Sequence, residues 1–291
     1  MIPYNVIGRC RVDQLGEGPT WSQATQRVYW VDINGQAVNV LDLVSHDVKR
    51  WPLPEPIGWV VERHGRPDLL AGLKSGIVAL TLDPVTISPL LHPETDRPQN
   101  RLNDAKVDAA GRLWFGSKDD DGDGASGALY RLGTDGRPTR VDDGYLVANG
   151  PTFSLDGCHL YHADSGRREV YRFALDGDGA LGPRESFVTF DDSWGYPDGM
   201  TTDAEGGVWI AHWGGGRISR FDQDGTLIRS YPLPARNITS CAFAGDDLDR
   251  LFVTSAALDS PGAPEDGALF EIDPGVKGLP PTPCAACPAP R

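Results

Sequence analysis

A short apolar strand recurs six times along this chain, and that repeat restricts the fold more than any other property. The copies read VYWVDI from Val28, LLAGLK from Leu69, LWFGSK from Leu113, LYHADS from Leu160, VWIAHW from Val208 and LFVTSA from Leu251. Their starts lie about 41 to 48 residues apart, close to the period of a four-stranded propeller blade. Most copies follow a turn rich in Gly and Asp, such as DAAGR, LDGCH, DAEGG and GDDLDR. Such turns supply the positive φ angles that tight hairpins need. A second strand follows each copy, as in QAVNVLDL, GIVALTLD and REVYRFALDGDG, with the alternation of a two-faced strand. Third and fourth strands are fainter (RPTRVDDG, ESFVTF, LIRSYPL).

The expected fold is therefore an all-β, six-bladed propeller with four-stranded blades. An open ring would leave a bare strand edge, so the opening stretch YNVIGRCRVD is expected to join the last blade and close it. The propeller is expected to occupy residues 1–276 as a single domain, followed by a Pro-rich tail over 277–291. With 35 Gly and 24 Pro in 291 residues, the composition suits an all-β protein full of tight turns.

The charge balance narrows the partners. Acidic residues number 41 and basic ones 27, a net charge of −14. Nucleic acids and anionic membranes need clustered Lys and Arg, so neither is an expected partner. No apolar run approaches a transmembrane span, and MIPYNVIGRC lacks the basic start and apolar run of a secretory signal. Five scattered cysteines fit a reducing cytoplasm. Cys284 and Cys287 are spaced like half of a zinc site, but no second ligand pair follows, so they read as part of a loose tail. A monomer is expected.

The innermost strand of each blade lines the channel, so equivalent residues of different blades converge near the axis. About ten to twelve residues before the apolar strands stand Glu17, Asn103, Asn149 and Asp198; blade two has only Ile57-Gly58-Trp59 there, and Asn237 lies a little further back. Any one of these could simply cap a turn. As a set they bring two carboxylates and two amides together, and buried carboxylates are costly unless paired or coordinated. No Lys occupies an equivalent position, so a divalent cation held by two carboxylates and one or two amides is expected. Oxygen-only ligation suits Ca2+ best; Mg2+, Mn2+, Zn2+ and Fe2+ are the other candidates.

These stretches, LGEGPTW, NRLNDAKVDAAGRLWFGS, ANGPTFSLDG and YPDGMTTDAEGGVWIAHWGGG, resemble the gluconolactonase family that includes senescence marker protein 30 (regucalcin) and luciferin-regenerating enzyme. The resemblance spans nearly the whole chain and is closest to the bacterial aldonolactonases. It implies one divalent metal on Glu17, Asn149 and Asp198, and substrate contacts from Arg101 and Asn103. An acidic substrate contact is implied just beyond Gly116-Ser117-Lys118, where Asp121 is the expected residue among three consecutive aspartates. The implied reaction is hydrolysis of a sugar lactone, such as a xylono-, arabino-, glucono- or galactonolactone, to its aldonic acid. Asp198 is the expected general base. The alternatives are a calcium-binding regucalcin-like propeller and a non-catalytic interaction propeller.

No nucleophile motif competes, since the chain has no G-x-S-x-G elbow. In LYHADSG, strand alternation puts His162 and Asp164 on one face, with Ser165 next in the chain. His162 and His212 could face the lactone or pack within their blades, and Trp194 and Trp213 could wall the pocket or fill a core.

Overall fold

The computed structural model describes residues 3–8, 11–122, 124–260 and 262–286. It contains six antiparallel sheets of four strands each. The inner strands are Gly16–Ser22, Ile57–Glu62, Asn100–Val107, Ala148–Phe153, Tyr196–Thr202 and Asn237–Ala244, for blades one to six. In blades one to five the chain meanders outward through three more strands. The recurrent apolar strand is the second in every blade, and its residues are almost completely buried between neighbouring sheets.

Blade six obtains only three strands from the C-terminal part of the chain, Asn237–Ala244, Arg250–Ala256 and Phe270–Ile272. Its fourth, outermost strand is Tyr4–Val6, which pairs antiparallel with Phe270–Ile272 and sets Tyr4 edge-on to Phe270. The ring closes as the sequence suggested, because pairing the two ends removes the exposed edge.

The turns repeat a single chemistry. In blade three Asp108 accepts from the backbone N–H groups of Ala110 and Arg112, and its other oxygen accepts from Trp114 Nε1 at 2.8 Å. In blade five Asp203 treats Glu205, Gly207 and Trp209 in the same way. The D-A-x-G turn thus fixes the hairpin and satisfies the buried indole of the next strand at once.

The tail does not behave as the composition suggested. Over its described part it is a strap across the end of the channel reached by the C-terminal ends of the inner strands. Gly278 N donates to Leu248 O and Ala204 N to Lys277 O, while Cys284 N donates to Glu62 O and Ala285 N to Gly111 O. The strap therefore stitches blades five and six to blades two and three. Cys284 and Ala286 are buried in the core that blades two and three share, so this half of the Cys pair has a packing role. Cys287 lies outside the described residues. A Pro-rich segment can be held this way because buried backbone groups must find partners, and strand ends offer them. Among the described residues no helix is long and apolar enough to cross a membrane.

Candidate active site

Every inner strand breaks register with its neighbour at the same depth. Pairing stops at Glu17 and resumes at Thr20 in blade one, and stops at Asn149 and resumes at Thr152 in blade four. In blades three and five the gaps run from Leu102 to Ala105 and from Pro197 to Met200. Each gap opposes two residues to one, which kinks the strand and re-aims its side chains. Glu17 and Asn149 stand just before their bulges, whereas Asn103 and Asp198 stand within them. The four are thus one register position apart in pairs, and the bulge brings them to one level. Gly18 and Gly150 follow the first pair with φ of +54° and +47°, a conformation that favours glycine.

Glu17, Arg101, Asn103, Asp104, Asn149 and Asp198 are all buried. A chain of hydrogen bonds connects Arg101, Asn103 and Asn149. Arg101 Nε donates to Asp120 Oδ1 at 2.9 Å and Arg101 Nη1 to Asn103 Oδ1 at 2.5 Å. Asn103 Nδ2 donates to Ala148 O at 2.8 Å and to Asn149 Oδ1 at 2.5 Å. Asn149 Nδ2 donates to Ser165 Oγ at 2.9 Å, and Ser165 Oγ donates to Pro197 O at 2.5 Å. Both amide protons of Asn103 are committed, which leaves it only acceptor capacity toward any further partner.

The carboxylates are less well served. Glu17 Oε2 accepts from its neighbour Gly18 N at 3.1 Å, and Asp198 Oδ1 is buried without a hydrogen-bond partner. Burial, then the negative charges of Asp198 and Asp104, push Glu17 well above the usual carboxylate range. Burial, then Asp104, does the same to Asp198. Asp104 is raised by burial, although Lys106 opposes the shift, and it accepts from Gly150 N at 2.9 Å. Arg101 lies close enough to favour both ionised carboxylates, but burial lowers its own pKa and Asp120 holds its guanidinium. Two buried acids and an unpartnered oxygen are the arrangement a divalent cation would relieve. Among the described residues no group of three or more His, Cys, Asp or Glu side chains is gathered for a metal. What Glu17, Asp198 and Asn149 offer at this level are carboxylate and amide oxygens, which are hard donors.

The structure places Asp121, the expected substrate contact, apart from Arg101, and its neighbour Asp120 beside it. Asp121 is exposed, with a side chain 71% accessible, whereas Asp120 meets both Arg101 and Lys74 Nζ, the latter at 2.8 Å. The strand Leu113–Asp119 ends one residue earlier, and Asp120 N donates to Gln99 O of the neighbouring segment, which keeps Asp120 beside Arg101. The histidines pack against residues that precede their own blades in the chain. His162 is fully buried edge-on against Tyr145 with neither ring nitrogen bonded, and burial lowers its pKa to about 3. His212 Nδ1 meets Trp194 O at 2.9 Å, and burial lowers its pKa to about 4. Trp194 lies on Phe190 and His212, and Trp213 packs against the core shared by blades one and two. Ser165, for which the sequence pattern suggests no role, is the link between Asn149 and the residue before Asp198. The alternation of strand faces could not reveal this, because Ser165 begins a single 3-10 turn.

Beneath these residues the channel widens into a cavity of about 770 Å3. Asp104, Lys106 and Cys241 line it, and Leu279 to Thr282 of the strap lie across its far end. Lys106 Nζ donates there to Met200 O and Thr201 Oγ1 at 3.0 and 3.1 Å.

Residues 15–257 match the family described as SMP-30/Gluconolactonase/LRE-like region. Pentonolactonase XacC of Haloferax volcanii is 37% identical over 281 residues, covering 92% of this chain and 93% of its own. The 6-deoxy-6-sulfogluconolactonase of Pseudomonas putida is 35% identical, covering 85% and 86%. Among solved structures, the calcium-binding protein regucalcin of Agrobacterium tumefaciens superposes with a TM-score of 0.91 at 28% identity, over 97% of each chain.

Proposed function

Because the chain belongs to the SMP-30/gluconolactonase/LRE-like family, we propose that it hydrolyses a sugar lactone to the aldonic acid with one divalent cation on Glu17, Asn149 and Asp198. The observation that carries this reading is the buried, cation-deficient pair Glu17 and Asp198, with Asp198 Oδ1 unpartnered at the centre of the ring. The relatives named above support lactone as the substrate class, and a pentono- or hexonolactone is the proposed size. Ca2+ suits the all-oxygen donors best.

A cation held there supplies Lewis acidity to the lactone carbonyl and makes nearby water more acidic. The chain's own residues do the rest. Arg101 is held in place by Asp120 and Asn103 before substrate arrives, so its planar donor fork needs no reorganisation to grip hydroxyl or ring oxygens. Asn103 accepts from a sugar hydroxyl through the remaining lone pair of Oδ1. Asp198 Oδ1 accepts the proton of the attacking water, and its backbone is fixed at a bulge between Pro197 and Gly199.

The test is a panel of pentono- and hexonolactones and simple aryl esters, assayed before and after chelation and again after adding back Ca2+, Mn2+, Mg2+ or Zn2+. Sugar-lactone opening that disappears with the metal and returns with it is expected. Turnover of aryl esters alone, or lactone opening indifferent to chelation, would overturn the reading.

A further inference from the structure

We infer that Ser165 sets which end of the Asn149 side chain faces the centre of the ring, and so decides whether that residue can hold a cation. This rests on the reading of Asn149 as a ligand. The two ends of a carboxamide have nearly the same shape, but only the oxygen can coordinate a cation; the NH2 end repels it. Orientation must therefore be imposed by partners, and here the partners leave one solution.

The chain of hydrogen bonds has a direction. Arg101 can only donate, so Asn103 Oδ1 must accept and Asn103 Nδ2 must donate. Asn103 Nδ2 is directed onto two acceptors, Ala148 O and Asn149 Oδ1, so the oxygen end of Asn149 is the end that meets Asn103. At the other end, Pro197 O can only accept, so the single proton of Ser165 is spent on it at 2.5 Å. Ser165 Oγ can then offer Asn149 nothing but a lone pair, and it takes the Nδ2 proton at 2.9 Å. A donor-only group and an acceptor-only group at the two ends thus polarise everything between them.

The position of Ser165 is itself held. It is buried, and its N–H donates to Val147 O at 3.0 Å, two residues before Asn149. The hydroxyl consequently ties the blade that carries Asn149 to the residue adjoining Asp198 in the next blade. Ser165 touches neither proposed substrate nor cation; it is a positioning residue that acts through Asn149. Partners of this kind, lying behind a ligand, typically contribute roughly 10- to 100-fold to metal affinity.

The experiment titrates chelated protein with Ca2+ and with Mn2+ by calorimetry, using Ser165→Ala, Ser165→Thr, Asn149→Ala and the Ser165→Ala/Asn149→Ala double variant, with melting temperatures to confirm folding. Ser165→Ala should weaken cation binding about 10- to 100-fold. Ser165→Thr, which keeps the hydroxyl, should restore most of it. The double variant should bind no more weakly than Asn149→Ala, because the serine has nothing left to orient. Wild-type affinity in Ser165→Ala beside a weakened Asn149→Ala would overturn the inference and leave the ligand reading standing. The same loss from Ser165→Ala in both backgrounds would also overturn it. Wild-type affinity in Asn149→Ala would remove the ligand reading, and the inference with it. Should Ser165→Ala fail to fold, the side-chain amide of Asn149 in the unaltered protein gives the answer by NMR. Slowly exchanging NH2 protons support the bond to Ser165, and solvent-like exchange refutes it.

Discussion

Asp198 is asked to be a ligand and a base at once, and the two demands can be separated. Asp198→Asn keeps an oxygen for the cation but cannot accept a proton. With metal in excess, and with spontaneous lactone hydrolysis subtracted, turnover should fall about 10²- to 10⁴-fold. Turnover near the parent value would remove the base from Asp198. Arg101→Ala should depress kcat as well as raise KM, and should lower turnover far more than it lowers calorimetric metal affinity, since Arg101 hydrogen-bonds Asp120 and Asn103 and reaches Glu17 and Asp198 by charge alone. His162 makes a different prediction. Burial lowers its pKa to about 3, whereas in the unfolded chain it titrates near 6.5. Between those values the unfolded state binds a proton that the native state refuses, so stability falls as pH drops from 6.5 toward 3. His162→Phe should flatten the slope of unfolding free energy against pH over that window by up to about 1.4 kcal/mol per unit. The raised carboxylates Glu17 and Asp198 act with the opposite sign, and comparing variant with parent cancels them. An unchanged slope would show that His162 is protonated within the fold.

At the scale of the element, the site is built by bulges, and the bulges depend on close approach between inner strands. A Cβ on Gly150 would lie 2.9 Å from both the backbone oxygen of Asp198 and the nitrogen of Met200, at a φ that side chains rarely adopt. A Cβ on Gly58 would meet Leu102 O at 2.5 Å and Asn103 O at 2.8 Å. Blade two, which contributes no ligand, thus contributes room for blade three to bring Asn103 inward. Gly150→Ala should cost about 1–3 kcal/mol in denaturant unfolding, with weaker metal binding because Asp198 is the atom group displaced. Parent-like stability and affinity together would show that the strands can move apart freely. Asn149 and Asp198 were visible in the sequence because each adjoins Gly within a recurring short motif. Their placement on two register positions was not, because a bulge is a property of the pairing partner as much as of the strand.

For the whole molecule, the ring is closed twice: by Tyr4–Val6 in blade six, and by the strap over residues 277–286 on the face away from the site. A chain ending at Val276 should keep its metal affinity but melt at lower temperature, by about 2–4 °C for each kcal/mol lost. An unchanged melting temperature would mean that the strap contributes nothing to closure.

Some of this follows from order along the chain. Six apolar strands with turns of matching chemistry imply six sheets, because periodicity and turn residues act over a few positions and need no distant partner. Glu17, Asn103, Asn149 and Asp198 emerge as a group by the same logic, since equivalent places in a closed ring must converge, and the family resemblance singles out three of them as ligands. What lies outside that reach depends on contacts between segments far apart in sequence. Asp120 rather than Asp121 meets Arg101 because Gln99 and Lys74 hold it there. Cys284 is buried because strand ends in blades two and three offer backbone partners to the tail. Ser165 orients Asn149 only because Pro197, a blade away, takes its proton. Local pattern determines which elements form and how many; the direction of a hydrogen bond, and which of several adjacent carboxylates receives it, is decided when the elements close on one another and each buried donor must find an acceptor.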